Sequence, residues 1–91
     1  MEKRRCDLIL PEMGMGMASV PITASAWLTR VGHQVHVGER LLEVLAGDVT
    51  IDLPAPASGT LVEQCVAEDD RLQVGQVLAV IITAVDDGEE M

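Results

Sequence analysis

An internal repeat constrains the fold of this chain more than any other feature. The segment Val37–Val44 aligns without a gap with the segment Val74–Ile81, an offset of 37 residues, and the same offset pairs Val35 with Leu72. The glycine of each copy is matched, which predicts equivalent turns with a positive φ. Two copies of one strand set, neither able to bury its apolar face alone, predict two halves that face each other about a pseudo-twofold axis.

Short apolar runs, broken by Gly, Pro or Asp every few residues, predict strands throughout the chain. No run has the 3.6-residue apolar stripe of a helix. The chain contains neither Phe nor Tyr, and its single Trp, Trp27, is expected in a core of Val, Leu, Ile and Ala. The predicted strands are Cys6–Leu10, Val20–Leu28, Gln34–Val37, Leu41–Leu45, Val49–Pro54, Gly59–Val66, Arg71–Gln73 and Val77–Ile82.

Length and charge pattern predict one domain between two charged tails. A chain of 91 residues has room for a single small core. We expect a flexible tail at residues 1–6, the folded domain at residues 7–84, and an acidic tail at residues 85–91.

The net charge of −9 excludes several classes of partner. Binding to nucleic acid or to an anionic membrane requires a basic face, and three of the six basic residues are grouped at Lys3, Arg4 and Arg5. The longest apolar run, Val77–Ile82, is too short to span a bilayer. With no secretory signal and two distant cysteines, Cys6 and Cys65, we expect a cytoplasmic setting.

Several segments, in order and without gaps, resemble one known family. They are Leu10–Met17, Trp27-Leu28 followed by Val31-Gly32, Val37-Gly38 with Leu41–Val44, Pro54–Gly59 and Val74–Ile81. This series is similar to the lipoyl and biotinyl carrier domains, and most similar to the lipoyl domain of dihydrolipoyl acyltransferases from 2-oxo acid dehydrogenase complexes. The resemblance implies a flattened barrel of two four-stranded antiparallel sheets with pseudo-twofold symmetry, an all-β fold.

The resemblance also implies where a cofactor would be attached. In the family, a lysine at a hairpin turn carries lipoate or biotin through an amide bond, and lipoyl domains read Glu-Thr-Asp-Lys followed by Ala or Val. This chain reads Leu45-Ala46-Gly47-Asp48-Val49 at the corresponding turn, and Lys3 is its only lysine. A carboxylate cannot form that amide, so no covalent cofactor is expected. Gly-Asp between two apolar runs still predicts a hairpin, with a positive φ at Gly47.

An apolar surface around this turn is the predicted protein-binding site. Its residues are Met13, Met15, Met17, Leu45, Ala46, Asp48 and Val49. The three methionines alternate with glycines and share one face if extended. They could pack on the barrel, form an adaptable contact surface, or bind Cu(I) through their thioethers. An exposed patch of this kind usually marks an interaction site.

The remaining polar groups predict neither a metal site nor an enzyme. His33 and His36 lie three residues apart around a turn, whereas zinc requires three or four ligands. The acidic run Glu68–Asp70 is interpreted as a solvated turn, and Cys65 as a small core residue on a strand. No nucleophile and base are arranged for catalysis, and no metal is expected.

Two hypotheses from different classes follow. The preferred one is a non-catalytic module that binds a protein partner, such as a 2-oxo acid dehydrogenase-type or carboxylase-type enzyme. The alternative is a covalent lipoyl or biotinyl carrier whose attachment site has been lost at Asp48.

Overall fold

Eight strands and no helix make up the residues that the computed structural model describes, which are residues 2–12 and 20–85. The strands are β1 (Glu2–Ile9), β2 (Ile22–Trp27), β3 (Gln34–Val35), β4 (Arg40–Ala46), β5 (Val49–Pro54), β6 (Gly59–Gln64), β7 (Arg71–Leu72) and β8 (Val77–Val85). Across these two ranges there is therefore no helical segment that could cross a membrane.

The strands form two four-stranded sheets in which every neighbouring pair is antiparallel. One sheet has the order β1-β8-β6-β3 and the other has the order β5-β4-β2-β7. Each sheet thus takes strands from both halves of the chain. The predicted fold class, an all-β flattened barrel of two four-stranded sheets, is confirmed.

The predicted repeat appears in the strand bounds and in the turns. β2 and β3 begin and end 37 residues before β6 and β7, and β4 begins 37 residues before β8. Gly38 and Gly75 both have a φ of 90°. The N–H of Gly38 donates to the carbonyl of Ala55, and the N–H of Gly75 donates to that of Leu10, both at 2.9 Å. The two halves therefore make equivalent bonds, as a pseudo-twofold axis requires.

Aliphatic side chains from both sheets form the core. β4 shows the alternation expected of a half-buried strand, since Leu42, Val44 and Ala46 are buried whereas Glu43 and Leu45 are partly exposed on the outer face. The largest fully buried side chains are Leu10, Leu41, Leu42, Leu61, Leu78, Ile81 and Val44.

The β4–β5 turn and the chain ends lie at opposite ends of the barrel. Along β2, the residues run from Ile22, beside that turn, to Trp27, and the chain then continues to His33. The carbonyl of His33 accepts a bond from Leu61 of β6 at 3.0 Å. β6 is paired with β8 near Ile82, so the last residues of β8 extend away from the turn.

Two features differ from the sequence-based expectation. β1 begins at Glu2 rather than Cys6, because β8 continues past Ile82 to Val85 and gives Glu2 a strand partner. Its charged side chains remain exposed, so the pairing does not desolvate them. Cys65 lies beyond the end of β6 and is exposed rather than part of the core. The residues from 86 onward lie outside the described part of the chain.

Candidate functional site

The β4–β5 hairpin ends in a two-residue turn formed by Gly47 and Asp48. Ala46 is paired with Val49 across the hairpin, and Leu45 with Thr50. Gly47 has a φ of 61°, which confirms the prediction for this residue. A glycine with positive φ at the first central position suits a tight two-residue hairpin, because its twist matches that of the strands. Asp48 is exposed at the tip.

Two residues before β2 hold this turn in place. The N–H of Gly47 donates to the carbonyl of Pro21 at 3.1 Å. A β-carbon at Gly47 would lie 3.7 Å from the side chain of Val20, an ordinary contact distance. The sequence analysis assigned Val20 and Pro21 to the predicted strand from Val20 to Leu28. Both residues precede the observed strand, so their contacts with the turn were not predicted. Only the tertiary contact shows their role.

The structure separates the predicted binding residues into three groups. Val49 is 49% exposed and Leu45 is partly exposed on the outer face of the sheet. The side chain of Ala46 is only 2% exposed, because it points into the barrel from β4, so the expectation that it contacts a partner requires correction. Met13, Met15 and Met17 lie outside the described residues.

The acidic run that follows β6 is exposed, and it also makes structural hydrogen bonds that the sequence analysis missed. Glu68 accepts the backbone N–H of Trp27 at 3.0 Å, and Asp70 accepts the N–H of Ala67 at 2.9 Å. Asp69 has a φ of 79°. Aspartate side chains often accept bonds from nearby backbone N–H groups in turns. Asp70, three residues after Ala67, is therefore the sequence signal for this turn.

The two histidines are exposed and lie on either side of the short strand β3. Nε2 of His33 is 4.0 Å from a carboxylate oxygen of Glu39, and the other oxygen of Glu39 accepts the N–H of His36 at 3.1 Å. Within residues 2–12 and 20–85, no group of three His, Cys, Asp or Glu side chains is placed to hold a metal ion.

Trp27 is partly buried rather than fully buried in the core. Its Nε1–H donates to the carbonyl of Val66 at 3.0 Å, while Nε2 of Gln64 donates to the carbonyl of Thr29 at the same distance. The 37-residue offset relates these two bonds to each other. The indole therefore joins the two halves and packs against the core from one side.

The cysteine thiols give no sign of an activated nucleophile. Partial burial raises the pKa of the Cys65 thiol above its ordinary value of 9.0, and the neighbouring Glu63 carboxylate raises it further, while Arg5 acts in the opposite direction. A raised pKa lowers the fraction of reactive thiolate at neutral pH. Cys6 is unpaired and packs at the edge of the core.

Two interlocked four-stranded sheets with a supported hairpin turn at one end define the lipoyl and biotinyl class of carrier domain. The family model described as "Biotin-requiring enzyme", the biotin and lipoyl domain family, matches residues 7–81. The chain belongs to this family.

Individual relatives are components of acyltransferase systems. The chain is 43% identical over 73 residues to the dihydrolipoyllysine-residue acetyltransferase component of the pyruvate dehydrogenase complex of Corynebacterium glutamicum, covering 80% of this chain and 10% of that protein. It is 38% identical over 81 residues to the component of the same name from Mycobacterium bovis, covering 89% and 14%. It is 32% identical over 75 residues to the dihydrolipoyllysine-residue acetyltransferase component of the acetoin cleaving system of Pseudomonas putida, covering 82% and 20%. The chain spans a fifth or less of the length of these curated relatives.

Proposed function

We propose that this domain is a lipoyl-family module that carries no covalent cofactor and binds a protein partner through the end of its β4–β5 hairpin. The observation that carries the proposal is Asp48 at the exposed turn where the family has its lysine. Because Lys3 is the only lysine and lies in β1, the turn offers no amine for the amide bond. We propose a cytoplasmic setting for this module.

The geometry of the turn supports a protein-binding surface at the tip of the hairpin. Gly47 donates a hydrogen bond to Pro21, which holds the turn in place. Leu45 presents apolar surface on the outer face of the sheet, and Val49, which is paired with the inward-facing Ala46, presents apolar surface on the opposite face, so the two flank Asp48 at the tip. A protein interface typically has buried apolar residues at its centre and charged residues at its rim. We call Leu45, Asp48 and Val49 the hairpin surface.

The relatives indicate which partner to test first. Their names place them in the pyruvate dehydrogenase complex and the acetoin cleaving system. We propose that the partner of this module is an enzyme of the 2-oxo acid dehydrogenase type, and a carboxylase-type enzyme is the second choice. The module itself would contribute binding and no catalytic group.

The first experiment measures intact mass after co-expression with a lipoate ligase and, separately, with a biotin ligase. The mass should equal that of the unmodified chain. Asp48→Lys is the matched variant, and it should fold as well as the parent, because ordinary exposed substitutions change the free energy of unfolding by less than about 0.5 kcal/mol. Any lipoyl or biotinyl adduct on the parent chain contradicts the proposal.

The second experiment measures binding to the purified pyruvate dehydrogenase complex of Corynebacterium glutamicum by biolayer interferometry. The parent chain should bind, and the double variant Leu45→Ser with Val49→Ser should lose most of that binding. Val37→Ser with Val74→Ser is the matched control, since both valines are exposed on other turns. Equal losses in the two double variants would show that the hairpin surface is not the contact.

The alternative, a carrier whose attachment lysine has been lost, is favoured by the preserved turn. In that case Asp48→Lys should accept lipoate in the mass experiment. Gly47 and Leu45 also differ from the family pattern, so the further change Gly47→Asp tests whether a ligase requires the neighbouring acidic residue. Modification of Asp48→Lys together with absence of partner binding by the parent would favour the alternative.

A further inference from the structure

A groove on the outer face of the β1-β8-β6-β3 sheet lies at the opposite end from the hairpin surface. Its volume is about 550 Å³, and Gly59 forms part of its lining. The side chains that line it come from all four strands of the sheet: Lys3 of β1, Gln34 of β3, Thr60 and Val62 of β6, and Ile82 and Ala84 of β8. We call this region the second face.

Two closely packed strands lie beneath the groove. β6 approaches β8 so closely at Gly59 that a β-carbon there would overlap the backbone carbonyl of Ile82. Position 59 therefore has no room for a side chain, and the side chains of the neighbouring residues form the groove. Beside it, Val62 is 44% exposed, Ile82 is half-buried and Ala84 is exposed, so the floor is apolar.

One cation, Lys3, borders this apolar floor. In the pairing of β1 with β8, Lys3 lies opposite Ala84 and Arg5 lies opposite Ile82, so the two cations are two residues apart on one face. Arg5 donates to the carboxylate of Asp7 at 2.7 Å, whereas Lys3 makes no ion pair with any described residue. In a chain with a net charge of −9, an acidic ligand would be repelled from most of the surface and attracted here.

The pseudo-twofold axis relates the second face to the hairpin surface. The 37-residue offset places Ile82 on Leu45, and Ala84 on Gly47. The same framework thus carries an aspartate at one end of the barrel and a lysine at the other. Since the two halves share their turns and backbone hydrogen bonds, the two ends differ in the charge of their side chains and not in their backbone.

We infer that the second face docks an extended segment of a partner protein in which apolar residues alternate with Asp or Glu. Side chains alternate across an extended segment, so one set fills the floor over Ile82 and Val62 while a carboxylate reaches Lys3. Four strands at about 4.8 Å spacing give a face about 15 Å wide, which suits roughly five extended residues. The inference does not depend on the function proposed for the hairpin surface.

The test is a nitrogen-15 NMR titration of the full chain with the blocked peptide Gly-Glu-Ile-Glu-Val-Glu-Gly. Saturable shifts should be confined to amides of the second face and should weaken as NaCl is raised, because exposed charge pairs are screened by salt. Lys3→Gln and Val62→Ser should each weaken binding about threefold or more, the effect expected for one exposed ion pair or a small apolar contact.

Matched controls separate a specific site from general attraction. Arg30→Gln removes another exposed cation, and Val37→Ser another exposed valine that is 65% exposed, and neither should change the affinity. The double variant Leu45→Ser with Val49→Ser should bind the peptide as the parent does. The inference is overturned if the peptide with Lys in place of each Glu shifts the same amides equally, if no saturable binding occurs, or if the controls lose as much affinity as Lys3→Gln.

Discussion

The proposed function depends on the side chain at position 48, a carboxylate at the exposed tip of the β4–β5 hairpin. The turn that holds Asp48 keeps a two-residue hairpin and a glycine with a φ of 61°. Its N–H bond to Pro21 fixes the position of the tip whatever side chain residue 48 carries. A lysine at position 48 would therefore be displayed by the same turn.

At the residue scale, Gly59 beside the second face and Gly47 beside the hairpin surface should respond differently to the addition of a methyl group. Gly59→Ala should destabilise the fold by roughly 2 kcal/mol or more, because the new β-carbon overlaps the Ile82 carbonyl and the backbone must shift. Gly47→Ala should cost only about 1 kcal/mol, the penalty for a positive φ, since its β-carbon has room beside Val20. Urea unfolding of both variants measures the difference, and a smaller loss for Gly59→Ala would contradict the packing described.

The thiol of Cys65 gives a residue-scale prediction with a definite sign in pH. Its pKa is raised above 9.0 by partial burial and by Glu63, so alkylation by iodoacetamide should show a midpoint above that pH. The same shift means that the stability contributed by the neutral thiol is present below pH 9.0 and is lost as the pH rises through the folded-state pKa. Glu63→Gln should lower the midpoint, and an unchanged midpoint would show that the carboxylate has no influence.

Residue patterns predicted the turn at Gly47, but they did not predict which side chains around it are accessible. Ala46 was expected on the surface because it is next to the turn, yet strand alternation directs it inward with Val44. Cys65 was expected inside because it fell within the predicted strand Gly59–Val66, yet the observed strand ends one residue earlier. In both cases the direction of one side chain depends on where a strand ends, which a local pattern locates poorly.

At the scale of elements, apolar runs located the strands, and the repeat supported the segments that it covers, Val35 with Leu72 and Val37–Val44 with Val74–Ile81. The offset of 37 residues holds for β2 with β6 and for β3 with β7, including strands of only two residues that propensity alone would not indicate. The start of β1 could not be predicted in this way. Its first residues are charged and exposed, and they become a strand only because β8 is long enough to pair with them.

The turn before β4 allows a test of this equivalence. Glu39 accepts the N–H of His36, and Gln76 accepts the N–H of Gln73 in the other half, at 3.1 and 2.9 Å. Glu39→Gln should therefore change the free energy of unfolding by less than about 0.5 kcal/mol. Glu39→Ala should cost about 1 kcal/mol, because the side-chain acceptor is lost. Thermal or urea unfolding distinguishes the two, and equal losses would indicate that charge rather than the shared bond matters.

At the scale of the whole molecule, the two sheets present related outer faces with different charge. Leu45 and Ile82 are equivalent positions, and Asp48 lies beside one while Lys3 lies near the other. The backbone of the barrel is therefore pseudo-symmetric, whereas the two ends of its surface carry different charges. The two proposed binding surfaces therefore lie at opposite ends of the barrel and differ in charge.

The pairing of Glu2 with Val85 indicates that the chain can be circularly permuted. Cα atoms of directly paired antiparallel residues are about 5 Å apart, so a short glycine linker should join these two ends without strain. A circular permutant of residues 2–85 that starts at Asp48 and ends at Gly47 should then fold, with cooperative unfolding by circular dichroism, because new termini are tolerated at exposed turns. A permutant opened between Ala79 and Val80, in the middle of β8, should not fold. If the first permutant succeeds, the hairpin end becomes a pair of free ends to which other proteins can be fused, and the order of the strands along the chain is not what holds the two sheets together.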